Sequence, residues 1–260
     1  MNELSKETKA YINDKVQKHY HAVVKHMGSQ NSVLGVFAYG SMNYGTFQPG
    51  QSDVDTKAII VPSFDDCLFN KPISKELQIE DGHCEIKDIR EMFRIYQKQS
   101  QNFIETLFTQ YYYINPFYKS IWKELQQNNE KIARYNEDLC IQSATNQALH
   151  TFYQIRDHSW DGKKYANVLR LIDFIRLYSW YRVNYYQCLI PLRQDLVTKV
   201  KYSIEPCLTD EQIKEAHDIL IKYRDRDEDL YMRVNRKKDL FVEELLRDLS
   251  KTAIIHRMLY

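Results

Sequence analysis

Residues 38–61 read Ala-Tyr-Gly-Ser-Met-Asn-Tyr-Gly-Thr-Phe-Gln-Pro-Gly-Gln-Ser-Asp-Val-Asp-Thr-Lys-Ala-Ile-Ile-Val, and no other stretch restricts the fold as much. The apolar run from Val33 predicts a strand over about 33–39 that ends in a Gly-Ser turn. A polar, glycine-bearing loop follows. A second strand is expected over about 54–61, opening on two aspartates and closed by Pro62. Side chains two apart on a strand share a face, roughly 6.6 Å apart along it. Asp53 and Asp55 therefore project together, and Lys57 continues the row.

That row has a chemistry. Paired carboxylates beside a small-residue turn suit two Mg2+ ions, with Mn2+ able to substitute, and a nucleoside triphosphate. Gly40 lets the backbone approach phosphates closely, and Ser41 can offer them its hydroxyl and amide. Tyr44, in the following loop, is placed to line a nucleotide pocket. Lys57 either contacts phosphate or pairs with Asp55. Gly35-x-x-x-x-Gly40-Ser41 has the spacing of a P-loop start but lacks the lysine, so it is not one.

A third strand is expected over His83–Lys87, and its central Glu85 is the candidate third metal carboxylate. Asp88 is the alternative, but Asp88-x-x-Glu91 reads better as a capping box opening the next helix. The stretch 68–82 reads as loop. Ser63 is expected to cap a short turn with Asp66.

The rest is read as helical. A first amphipathic helix is expected over 3–27, stopped by Gly28. From residue 116 the periodicity predicts helices over 116–130, 137–157, 162–187, 195–205, 210–226 and 238–249. With a soft boundary at Ile114-Asn-Pro-Phe117, the expectation is an α+β catalytic core over 1–115 and a helical domain over 116–260. Lys163, Asn167 and Arg170 fall at i, i+4 and i+7 on one helix face. They form either a stripe for phosphates or acceptor, or a solvated face. The mixed-sign run Asp225–Asp229 and the short basic run Arg236–Lys238 read as solvated.

Composition excludes several classes. A formal net charge of +1 gives no global field for nucleic acid or a membrane surface. No apolar run approaches the roughly 18–20 residues needed to span a bilayer. The polar N-terminus argues against a secretory signal. The 5 cysteines are scattered and never in Cys-x-x-Cys spacing, which points to reduced thiols in the cytoplasm and away from a zinc site.

The Gly-Ser, spacer, Asp-x-Asp pattern resembles the DNA polymerase β-like nucleotidyltransferase superfamily. Gly-Ser-x-x-Tyr-Gly followed by Pro-x-x-Ser-Asp-Val-Asp-x-Lys looks most like the nucleotidyltransferases associated with RNA-repair ligases. Glu85-Ile-Lys-Asp-Ile-Arg90, Asn102-Phe-Ile-Glu105-Thr-Leu-Phe108, Lys163-Lys-Tyr-Ala-Asn-Val-Leu-Arg170-Leu and Ile190-Pro-Leu-Arg193 are similar to that group as well. The resemblance implies a small mixed sheet with flanking helices, then a helical domain. It implies transfer of a nucleoside monophosphate from an NTP to an acceptor hydroxyl, with pyrophosphate released; the acceptor, which the resemblance leaves open, is expected to be RNA or a protein. Asp53, Asp55 and Glu85 would bind the metals, and Gly40, Ser41, Tyr44, Lys57, Lys163, Asn167 and Arg170 the nucleotide. The competing expectation is an antitoxin-like or regulatory nucleotide-binding partner of another protein.

Overall fold

A computed structural model of the chain describes residues 4–79, 82–156, 160–181, 183–225 and 239–259. Its contacts divide the chain into two units. One comprises Met1–Gln97, Asn102–Ala133 and Asp239–Tyr260; the other comprises Lys98–Gln101 and Arg134–Lys238. The division therefore falls near residue 133 rather than at 114–117, and the last helix belongs with the first unit.

The first unit is α+β, built on a mixed sheet of five strands in the order β3-β4-β2-β1-β5. These are β1 (Val33–Ala38), β2 (Thr56–Ile60), β3 (Ser74–Ile79), β4 (Gly82–Asp88) and β5 (Tyr112–Ile114). β1 is antiparallel to β2 and β5, β2 is parallel to β4, and β4 is antiparallel to β3. Two strands are corrections to the sequence reading. β3 lies in the expected loop over 68–82, because its mostly exposed side chains leave no apolar pattern and backbone pairing with β4 defines it. β5 has only three residues, too short for a period.

Helix α1 (Lys6–Met27) begins at Ser5, whose hydroxyl accepts the Thr8 amide, and ends at Gly28 in a left-handed conformation. Its Ile12, Val16, Tyr20 and Val23 are fully buried and recur at helical spacing. They pack with Val36, Ala38, Ala58, Ile60, Cys84 and Ile86 from one sheet face. Burying each large aliphatic side chain contributes about 1.5–3 kcal/mol. The His19 ring joins this layer to β2 through Nδ1 and Thr56 Oγ1, 2.8 Å apart.

After β1 comes a one-turn helix, α2 (Ser41–Tyr44). Between β2 and β3 lies α3 (Phe64–Leu68), opened by the expected Ser63–Asp66 capping box. β4 leads into α4 (Ile89–Gln97), then α5 (Gln101–Ile104) and a 3-10 turn, Glu105–Leu107. α6 (Lys119–Gln127) brings Trp122 against Phe37 on the other sheet face, ring centroids 4.6 Å apart. α7 (Asn129–Ala133) follows. The C-terminal helix, Leu240–Leu259, donates from Arg257 to the Val61 carbonyl and from Ser250 to the Ile89 carbonyl.

The second unit is helical: α8 (Glu137–Arg156), α9 (Gly162–Arg176), α10 (Tyr185–Leu189), α11 (Gln194–Lys201) and α12 (Asp210–Asp225). α9 is buried nearly all round from Val168 to Ile175, as befits a central helix. It passes into a π-helical turn over Leu177–Tyr181, so the helix expected to run to 187 is broken. Asn184 caps a new one by accepting the Gln187 amide at 2.9 Å. The charged runs beyond Asp225, over 226–238, lie outside the described residues. Among the described residues no helix is long and apolar enough to cross a membrane.

Candidate functional site

The two halves of the opening motif meet at one end of β1 and β2. The ladder pairs Phe37 with Lys57 and Ala38 with Thr56. It continues one step further, where the Tyr39 amide donates to the Asp55 carbonyl at 3.2 Å. Gly40-Ser41 thus leaves one strand beside the point where Asp53-Val-Asp55 enters the other. The aspartates lie just before β2 rather than on it, a correction to the expected start at 54. The alternation nonetheless holds: Val54 is buried, Asp53 exposed and Asp55 half-buried.

The Gly-Ser turn is built by buried polar bonds. Gly40 has φ 92 and ψ −138, which only glycine adopts without strain, although a Cβ there would meet nothing within 4 Å. Its amide donates to Glu105 Oε1 at 2.6 Å, and the Tyr44 hydroxyl donates to Glu105 Oε2. Asn43 donates to the Ala38 carbonyl at 3.3 Å and accepts from Thr109 Oγ1 at 2.8 Å. Gly45 ends the turn in a left-handed conformation, φ 71. Tyr44 and the Gly40 amide, expected at the nucleotide, are therefore anchors of the turn. Ser41 is half-buried at its first position. Glu105 is fully buried and buttresses this turn.

A close approach sets the aspartate segment. A Cβ on Gly82 would stand 2.5 Å from the Val54 carbonyl oxygen and 3.3 Å from His19 Cε1. Gly82→Ala must push aside the backbone between Asp53 and Asp55. Overpacking of this kind costs about 1–3 kcal/mol, so a lowered urea midpoint is expected, and a midpoint equal to wild type would refute the constraint.

Glu85, the candidate third metal carboxylate, stands between two lysines. Parallel pairing puts it opposite Lys57. Its Oε2 is ion-paired with Lys57 Nζ and its Oε1 with Lys87 Nζ, the latter at 2.9 Å. Lys57 is 3% exposed, with its ammonium 4.3 Å from the Tyr39 ring centroid and 5.1 Å from that of Phe103. An ammonium so enclosed serves Glu85, not Asp55. No group of three His, Cys, Asp or Glu side chains arranged for a metal occurs among the described residues. The donor chemistry fits Mg2+ at Asp53 and Asp55, which are accessible oxygen ligands.

Burial would raise the Glu85 pKa, but the lysine charges outweigh it and hold the carboxyl below its ordinary 4.5. A lowered folded-state pKa gives stability that is complete above the unfolded value and lost as pH falls through the folded one. The difference in urea midpoint between wild type and Glu85→Gln is therefore expected to shrink as pH is taken below about 4.5. A pH-independent difference contradicts this.

Asp88 is fully buried. It accepts the Arg90 amide at 2.9 Å and the Arg90 guanidinium at 2.6–3.1 Å, so it caps α4 through Arg90 rather than through a box with Glu91. In the second unit, Lys163 is exposed, Asn167 half-buried and Arg170 4% exposed, with Arg170 Nη2 donating to Asn167 Oδ1 at 2.8 Å. The three are neither a solvated face nor one exposed stripe. Arg193 of Ile190-Pro-Leu-Arg193 bonds the fully buried Asp173 of α9 from its amide at 3.2 Å and its guanidinium at 3.1 Å, an architectural role.

One residue escaped the sequence reading. His83 donates its amide to Asp55 Oδ1 at 3.2 Å, and its Nδ1 lies 2.8 Å from the same oxygen. Its Nε2 lies 3.0 Å from the Tyr39 hydroxyl. Extending the β2–β4 register one step toward the N-terminus sets His83 against Asp55, so correct pairing of the strands would have revealed it.

No family model and no curated protein matches the chain. Among solved structures it is similar to a nucleotidyltransferase-like protein from Exiguobacterium sibiricum 255-15, with 10% identity over 94% of this chain and 77% of that one, at a TM-score of 0.32.

Proposed function

We propose that this chain is a metal-dependent nucleotidyltransferase that moves a nucleoside monophosphate from an NTP to a hydroxyl of RNA or protein. The observation that carries the reading is the Tyr39–Asp55 backbone bond, which seats Gly40-Ser41 beside Asp53 and Asp55. A small-residue turn and two accessible carboxylates at one pair of strand ends suit in-line phosphoryl transfer. In the reaction the acceptor oxygen bonds the α-phosphorus, the bond to pyrophosphate breaks, and the acceptor proton is released.

Asp53 and Asp55 would hold Mg2+, which when bound neutralises triphosphate oxygens and acidifies the hydroxyl. Ser41 offers its hydroxyl and amide to the phosphates. Glu105 and Asn43 keep the turn in one conformation, so its donors need no reorganisation when the nucleotide arrives. Lys57 neutralises Glu85 and keeps that carboxylate from repelling the triphosphate.

The test is incubation with α-labelled NTPs, Mg2+ or Mn2+, and total RNA or cell extract. Wild type is expected to label a macromolecule, and the Asp53→Ala/Asp55→Ala double variant is expected to label none. Equal labelling by both, or none by wild type, withdraws the enzyme reading. A stoichiometric protein partner captured equally by both would favour a nucleotide-binding regulator instead.

A further inference from the structure

We propose that His83 is a positioning residue for Asp55, and that Tyr39 in turn sets the His83 ring, in a relay Tyr39–His83–Asp55 running across three adjacent strand ends. The inference rests on the reading of Asp55 as a metal ligand and deepens it. Both His83 contacts fall on Oδ1: the amide at 3.2 Å and Nδ1 at 2.8 Å. Two donors on one oxygen fix the carboxylate's rotation and leave Oδ2 as the free ligand. A half-buried carboxylate would otherwise sample several rotamers before each metal-binding event.

The ring's own orientation is also determined. Nε2 lies 3.0 Å from the Tyr39 hydroxyl, and the two rings meet edge to face at 84°. A carboxylate oxygen only accepts, so the nitrogen 2.8 Å from Asp55 Oδ1, Nδ1, is the one that carries the hydrogen toward it. Nε2 is then the nitrogen that accepts from the Tyr39 hydroxyl. Tyr39 is the residue directly before Gly40-Ser41, so the relay also ties the turn to the carboxylate. Partners of this sort around metal ligands commonly govern affinity by about 10–100-fold.

The experiment uses the full chain and Mn2+ alone, with free Mn2+ followed by electron paramagnetic resonance and folding by urea midpoint. Asparagine places an amide nitrogen close to where Nδ1 stands, so it keeps the donor toward Asp55 and loses the link to Tyr39. His83→Ala is expected to weaken Mn2+ binding by about 10–100-fold, His83→Asn to recover most of the loss, and Tyr39→Phe to fall between. Under saturating Mn2+, His83→Ala is expected to regain labelling activity, because only the ligand's positioning has been lost.

Wild-type Mn2+ affinity in His83→Ala overturns the relay while leaving the enzyme reading in place. Equal losses in His83→Ala and His83→Asn, tracking a common drop in urea midpoint, overturn it in favour of a purely structural contact. If wild type and the Asp53→Ala/Asp55→Ala variant bind Mn2+ alike, the metal-site reading fails and the relay fails with it.

Discussion

Glu105→Ala is expected to lower the stability of the chain by about 2–6 kcal/mol, since it strands a buried and a part-buried donor at once and each costs about 1–3 kcal/mol. Those donors are the Gly40 amide and the Tyr44 hydroxyl, held by the two oxygens of one fully buried carboxylate. The effect should reach function as well as folding. Gly40 occupies a conformation with positive φ, and the Glu105 contact is what holds its amide inward. Glu105→Gln keeps an acceptor for the Gly40 amide and is expected to lose much less. Urea titration of the three proteins, followed by NTP labelling at a concentration where each remains folded, separates stability from turn geometry. An alanine variant within about 0.5 kcal/mol of wild type, the range of an ordinary surface change, would mean that the turn holds itself.

Asp88→Ala is expected to cost about 1–3 kcal/mol, the range for leaving the partners of a buried polar group unsatisfied. The carboxylate is fully buried, caps α4 and receives the Arg90 guanidinium. Arg90 also donates to the carbonyls of Asp66 at 2.9 Å and Lys71 at 2.6 Å, so the loop before β3 is secured through the same pair. Removing Asp88 leaves that guanidinium with the carbonyls and the more distant charge of the Asp66 carboxylate. Asp88→Asn retains a cap acceptor and is expected to lose less than half as much. Paired urea midpoints measure both. Equal losses in the two variants would assign the whole effect to charge and none to the cap.

Local signals were legible wherever a single element carried them. The buried positions of α1, its Gly28 stop, the Ser63–Asp66 box and the strands around the opening motif all follow from period or cap chemistry within a short window. β3 was illegible because an edge strand with exposed side chains has no apolar alternation; its identity lies in hydrogen bonds to β4. The change to a π-helical turn after Arg176 was hidden for a related reason. The apolar period carries through Leu177 and Tyr178, and neither glycine nor proline marks the turn.

The candidate site divides in the same way. Asp53, Asp55, Gly40 and Ser41 were legible as a motif because spacing along one strand–loop–strand segment fixes which side chains can converge. From the sequence alone follow an α+β core, the strand-turn-strand edge and its two accessible carboxylates. Only the tertiary structure decided what the neighbouring strand does to them. It set Glu85 against Lys57 and Lys87, and it brought His83 to Asp55 and Glu105 under Gly40. The physical reason is register. Side-chain direction is local, alternating along each strand, but which residues of β4 and of the 105–107 turn stand opposite is set by pairing between segments tens of residues apart, and a one-residue slip would have exchanged Glu85 for Cys84.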